Sequence, residues 1–83
     1  MHPYTPLETD STQHLVRFEK LHMFTHPDGT GELIRKVRWE RRPAGFPAFL
    51  WLYPRDGSDP FFVDPLSVLP DWLADTAPDW ADP

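Results

Sequence analysis

The sequence predicts a small α+β domain, mainly β. The expected architecture is a three- to four-stranded antiparallel sheet with one or two short C-terminal helical turns. Three observations predict it. Glu32 to Glu40 alternates apolar and charged side chains with the period of two that a half-buried strand requires. Two turn signals, Pro27-Asp28-Gly29 and Pro54-Arg55-Asp56-Gly57, separate the apolar segments at short intervals. Pro70 and Pro78 break up the last third of the chain, so only short helical turns fit there.

The elements follow in order. Residues 1–12 are polar, carry Pro3 and Pro6, and read as a flexible N-terminal arm. The first strand candidate runs from Gln13 to Phe24. Val16, Phe18, His22 and Phe24 share one parity; Leu15, Leu21 and Met23 share the other. Neither parity is cleanly apolar, so a bulge or bend in mid-strand is expected. A helix is the rival reading, because Leu15, Phe18 and His22 recur at helical spacing. Thr25 to Gly31 is the clearest turn and makes a β-hairpin with the next segment. There, Leu33, Arg35, Val37 and Trp39 are expected on one face, and Glu32, Ile34, Lys36, Arg38 and Glu40 on the other. Arg41 to Gly45 breaks the strand. Phe46 to Tyr53 is apolar on both parities, with Phe49, Trp51 and Tyr53 opposite Ala48, Leu50 and Leu52. Such a strand is expected to be central, or covered on both sides. Phe61 to Val63 gives a short fourth strand. Asp64-Pro65 reads as an N-cap followed by proline at the first helical position. The expected organisation is an arm over 1–12, one β-rich domain over 13–75 and an acidic, Trp-containing tail over 76–83.

Composition excludes several chemistries. With 83 residues, one domain is the natural reading. The 14% aromatic content, four Trp among it, is enough for a core. No cysteine is present, so disulfides, zinc-thiolate sites and a cysteine nucleophile are excluded. That absence, with an N-terminus lacking a basic and an apolar signal region, leads to an expected cytoplasmic location. No apolar stretch is long enough to span a bilayer, so no membrane partner is expected.

Charge is unevenly placed. The net charge is −5, yet residues 1–54 carry seven Lys/Arg against six Asp/Glu, while residues 55–83 carry Arg55 against seven Asp. Asp suits turns and helix starts, so part of this acidity is structural punctuation. The segment Pro70-Asp71-Trp72-Leu73-Ala74-Asp75 is echoed by Pro78-Asp79-Trp80-Ala81-Asp82. Two helix starts explain the echo, since a carboxylate in the first turn suits the helix dipole. The sharper reading is a pair of docking motifs with Trp72 and Trp80 as anchors and Asp75 and Asp79 beside them, because Trp is favoured at binding hot spots.

No catalytic or metal pattern stands out. His14 and His22 lie eight residues apart, roughly 26 Å along an extended chain at about 3.3 Å per residue. His22 and His26 are four apart, which would suit a metal site on a helix, but Pro27 and the Asp28-Gly29 turn argue against a helix there. Ser11, Ser58 and Ser67 lack a nucleophile-elbow context. Asp59 and Asp64 need a cleft to act as an acid–base pair. No enzyme, metal or cofactor is therefore expected. The run Arg35-Lys36-Val37-Arg38-Trp39-Glu40-Arg41-Arg42 holds five positive charges, with Arg38, Arg41 and Arg42 as a candidate contact patch. Trp39 would stack a base if exposed.

These residues lead to a functional expectation. The chain reads as a small acidic protein-binding module, a stoichiometric inhibitor or adaptor whose partner is another protein. That class includes phage-encoded proteins that act on a host nuclease, polymerase or defence complex. Direct nucleic-acid binding is disfavoured by net charge, since phosphate affinity depends on Lys/Arg. DNA mimicry by the Asp-rich tail is the variant of this reading. The alternative is a nucleic-acid-associated accessory domain using the basic strand 35–42.

Overall fold

The computed structural model describes the backbone of 4–6 and all of 13–43 and 46–81. It holds one antiparallel sheet in the order β1-β2-β3-β4-β5, each strand pairing with its neighbours in sequence. The strands are β1 (Tyr4–Pro6), β2 (Gln13–Thr25), β3 (Gly31–Glu40), β4 (Phe49–Pro54) and β5 (Phe61–Val63). A four-residue helix, α1 (Asp71–Ala74), and a 3-10 turn (Asp79–Ala81) follow. The mainly β α+β class is as expected. The sheet gains one edge strand beyond the expected count, because Tyr4–Pro6 pairs with Val16–Phe18 inside the segment read as an arm. The rest of that arm lies outside the described residues.

The hairpin is set by its turn. Gly29 has φ of +92°, a backbone conformation side chains rarely tolerate. Asp28 Oδ1 accepts hydrogen bonds from Thr30 N at 2.9 Å and Thr30 Oγ1 at 2.6 Å, which close the loop. These bonds hold the Asp28 carboxyl below its usual range. The second turn repeats the device, with Gly57 at φ +83° and Ser58 N donating to Asp56 Oδ1 at 2.8 Å.

Two irregularities decide which side chains face the core. The β2–β3 register shifts between Arg17 and His22, so the expected mid-strand bulge is present and the rival helix is not. The β3–β4 register shifts between Ile34 and Lys36. A bulge changes side-chain parity. Ile34 therefore joins Val37 and Trp39 in the core, fully buried, instead of sharing a face with Lys36 and Arg38 as strict alternation predicts. Arg35 is left in the bulge, where its Nε donates to the carbonyl of Pro54 at 3.3 Å.

The core lies on one face of the sheet. Val16, Phe18, Ile34, Val37, Trp39, Leu50 and Leu52 line it, and Leu73 and Ala81 close it from the C-terminal segment. Burial of apolar area supplies the main drive, at about 25 cal/mol per Å². A polar contact joins the two layers: Trp39 Nε1–H donates to Thr76 Oγ1 at 2.8 Å, and Thr76 Oγ1–H donates to the Leu73 carbonyl at 2.6 Å.

Two local expectations are corrected. β4 begins at Phe49 and not Phe46, because Pro47 has no N–H to give the ladder. Asp64-Pro65 opens a turn and not a helix: Asp64 Oδ1 accepts from Leu66 N at 2.9 Å, and Ser67 N donates to the Asp64 carbonyl at 3.0 Å. Helix α1 starts later, after Pro70, with Asp71 in its first turn; the 3-10 turn has Asp79 in the same place. The sequence echo thus marks two helical starts. No helix among the described residues is long and apolar enough to cross a membrane.

Candidate functional site

The face opposite the core carries the chemistry. Three cross-strand rows lie on it: Gln13, Glu40 and Phe49; Leu15, Arg38, Trp51 and Phe62; Arg17, Lys36 and Tyr53. The intervening rows, built on Val37 and Trp39, point into the core. Helix α1 and the 3-10 turn pack on the core side, so no described element covers this face. Of the two expectations for β4, central or covered on both sides, the interior position holds: β4 lies between β3 and β5. Its apolar rings are shielded instead by one another and by the stems and heads of cationic side chains.

The rings and cations interlock. Phe49, Trp51 and Phe62 form a triangle with centroid separations of 6.2, 5.6 and 5.9 Å, tilted or edge-on. Lys36 Nζ lies 4.6 Å from the centre of the Tyr53 ring, and the Arg38 guanidinium 5.7 Å from Trp51. Arg42 lies 4.3 Å from Phe49 and 5.1 Å from Phe46. These are cation–π distances. Arg38 Nε also donates to Tyr53 Oη at 3.0 Å, and its Nη1 pairs with Glu40 at 3.2 Å. Phe62 is 48% exposed and Phe46 60%.

The electrostatics of the face are one-sided. Arg17, Lys36 and Arg38 stand on the three rows with a single carboxylate, Glu40, and Arg42 adds a fourth cation above Phe49. Partial burial, then the charges of Arg35, Arg17 and Arg38, hold the Lys36 ammonium below its ordinary pKa. The indole Nε1–H of Trp51 is shielded from water and has no hydrogen-bond partner among the described residues. A shielded donor without an acceptor is costly, so it gains from any acceptor brought to it.

The sequence-derived residues divide between two sides. Arg38 and Arg42 belong to this face. Arg41 does not: its guanidinium lies 5.8 Å from the Trp80 ring. Trp72 is half-buried, stacked on His22 at 4.8 Å and edge-on to Phe18 at 5.4 Å. Trp80 is half-buried and packs against the core. Asp75 and Asp79 are exposed on that C-terminal side. Trp39, which would have to be exposed to stack a base, is 1% exposed. Phe49, Trp51, Tyr53 and Phe62 were not singled out as site residues by sequence. Their signal was the double-sided apolar pattern of Phe46 to Tyr53 beside a basic strand.

A second concavity lies at the hairpin end. It is a cleft of about 500 Å³ whose lining includes Phe24, His26, Phe61, Asp64, Ser67 and Leu69. His26 Nε2 lies 2.6 Å from Glu32 Oε2. Among the described residues no hydrogen bond joins Ser67 to His26, and Asp64 is engaged in its own turn. No group of three metal-ligating side chains occurs among the described residues. No protein-family model matches the chain, and no curated protein or solved structure matches it.

Proposed function

We propose that the chain is a binding module without catalytic chemistry, and that its working surface is the aromatic and basic face of the sheet. The observation that carries this reading is the set Arg17, Lys36, Arg38 and Arg42 interleaved with Phe49, Trp51, Tyr53 and Phe62, with Glu40 the one carboxylate on the three rows among the described residues. A fold gains little from crowding cations on one face. Exposed cation–ring contacts are worth only about 0.5–1 kcal/mol each, and surface ion pairs about as little. Aromatic residues and arginine are, by contrast, the side chains that dominate binding hot spots. An inhibitor or adaptor built this way holds its target by presenting positive charge and ring surface, so the partner is anionic where it docks.

Charge reversal tests this reading. The tagged full chain is used to recover partners from its native host, beside Arg38→Glu/Arg42→Glu and Asp75→Asn/Asp79→Asn variants. Loss of the recovered partner with the first pair, and retention with the second, is the expected outcome. The opposite pattern favours a second reading. Asp64, Asp71, Asp75 and Asp79 are all exposed, and as a negative surface they would occupy a partner's basic groove in place of nucleic acid. Competition with DNA for that partner is the mark of such mimicry.

A further inference from the structure

We infer that the partner of the aromatic and basic face is single-stranded nucleic acid, in a stretch of a few nucleotides. The inference rests on the binding-module reading above and names the occupant of the same surface. Four observations converge on it: charge, ring chemistry, the size of the face and its shape.

Charge removes a second copy of the chain as occupant. Two such faces would set four cations against four, with two Glu40 carboxylates on the facing rows among the described residues. A phosphate chain reverses that repulsion by bringing negative charge to Arg17, Lys36, Arg38 and Arg42. Size disfavours a globular protein. The three rows span four strands at about 4.8 Å and five residues of β3 at about 3.3 Å, roughly 14 by 13 Å in plan. A stable protein interface needs about 800 Å² from each partner, several times that plan area. The face fits a narrow, extended ligand.

Chemistry then separates the extended ligands. A peptide needs partners for its backbone N–H and C=O groups, and a sheet offers these at its edges, not on a face of rings and guanidinium heads. A single strand brings flat bases and phosphates in alternation, which match a face where rings, Phe62 the most exposed on the rows, are interleaved with cations. The Trp51 Nε1–H, shielded and without a partner among the described residues, is a donor for a base carbonyl or phosphate oxygen brought to it. Duplex DNA keeps its bases stacked inside, and this face carries no helix or ribbon to enter a groove.

Titration of the intact protein with labelled probes decides the matter. The probes are a short oligothymidylate, the matching oligouridylate, a duplex of mixed sequence and an oligoglutamate peptide. Binding of the single strands is expected to weaken about 20- to 50-fold between 50 and 200 mM salt, the dependence of three or four phosphate contacts on a single strand. Phe62→Ala removes an exposed ring and is expected to weaken binding at least about fivefold. Arg38→Gln is expected to lower both the affinity and the salt dependence, while Arg55→Ala, in the β4–β5 turn, changes neither by more than the general loss of one charge. Circular dichroism confirms that each variant is folded. Equal or tighter binding of the duplex overturns the single-strand inference. Binding of oligoglutamate without binding of either single strand overturns the nucleic-acid inference and leaves the face as the working surface. No binding of any anionic probe, or identical binding by Phe62→Ala and Arg38→Gln, overturns both.

Discussion

The indole N–H of Trp39 donates a 2.8 Å hydrogen bond to the hydroxyl of Thr76, thirty-seven residues further along the chain. Both groups are buried, and the bond ties the C-terminal cover to the centre of the sheet. The core face is thereby closed, and the opposite face is left for other use.

Thr76→Val keeps the shape of the side chain and removes the acceptor. The Trp39 N–H is then buried without a partner, at a cost of about 1–3 kcal/mol. For a domain of this size each kcal/mol lowers Tm by about 4–8 °C. Thr76→Ser retains the hydroxyl and is expected to lose less. Thermal unfolding of the three proteins checks the order; equal Tm for Thr76→Val and wild type would remove the latch from the account.

Trp80→Ala is expected to destabilise the fold by about 2 kcal/mol. Full truncation of a buried Trp costs about 3–5 kcal/mol, and this ring is half-buried against the core. Binding measured well below Tm should be unaffected. Unchanged Tm together with weakened binding would make Trp80 a docking anchor and not a packing residue.

Much of this was legible in the sequence, and the limits have physical causes. The alternation in β3, the Asp-Gly turns and the proline-punctuated tail identified the strands and short helical turns. The bulge at Arg35 was not visible, because nothing in Leu33-Ile34-Arg35-Lys36 distinguishes regular alternation from a one-residue shift. That shift places Ile34 in the core. For the site, sequence favoured Trp72 and Trp80 because each stands between acids. Whether a tryptophan is free depends on what it meets in space, and Trp72 meets His22 and Phe18. Arg38 and Arg42 were found from the basic run. Their aromatic partners lie on the neighbouring strands, and only the β3–β4–β5 register brings them together.

Acidification should weaken the fold through histidine. Burial lowers the pKa of His14, and burial and then Lys20 lower that of His22, both below the ordinary 6.5. The unfolded chain binds these protons more readily, so stability rises with pH across this window and is lost as pH falls below about 6.5. The loss stops below the folded-state values. His22→Phe keeps a ring against Trp72 and removes one titration, so the drop in Tm between pH 7.5 and 5.5 should shrink. A drop of unchanged size would assign the effect elsewhere.

Lys36→Gln separates binding from stability. It relieves the crowding of Lys36 with Arg17, Arg35 and Arg38 and gives up one contact with Tyr53. The two effects oppose, so stability should change by no more than about 0.5 kcal/mol. Affinity for oligothymidylate should fall, with a smaller salt dependence. A large loss of Tm would make Lys36 structural.

The most direct test watches the four tryptophan indole N–H resonances by NMR while oligothymidylate is added. Trp51 stands on the aromatic and basic face, Trp39 is bonded to Thr76 in the core, and Trp72 and Trp80 pack on the far side. The expected result is a saturable shift of the Trp51 resonance, as its free donor meets an acceptor, with the Trp39, Trp72 and Trp80 resonances nearly unmoved. Shifts of Trp72 or Trp80 with Trp51 unmoved would contradict the account and place the working surface on the C-terminal side.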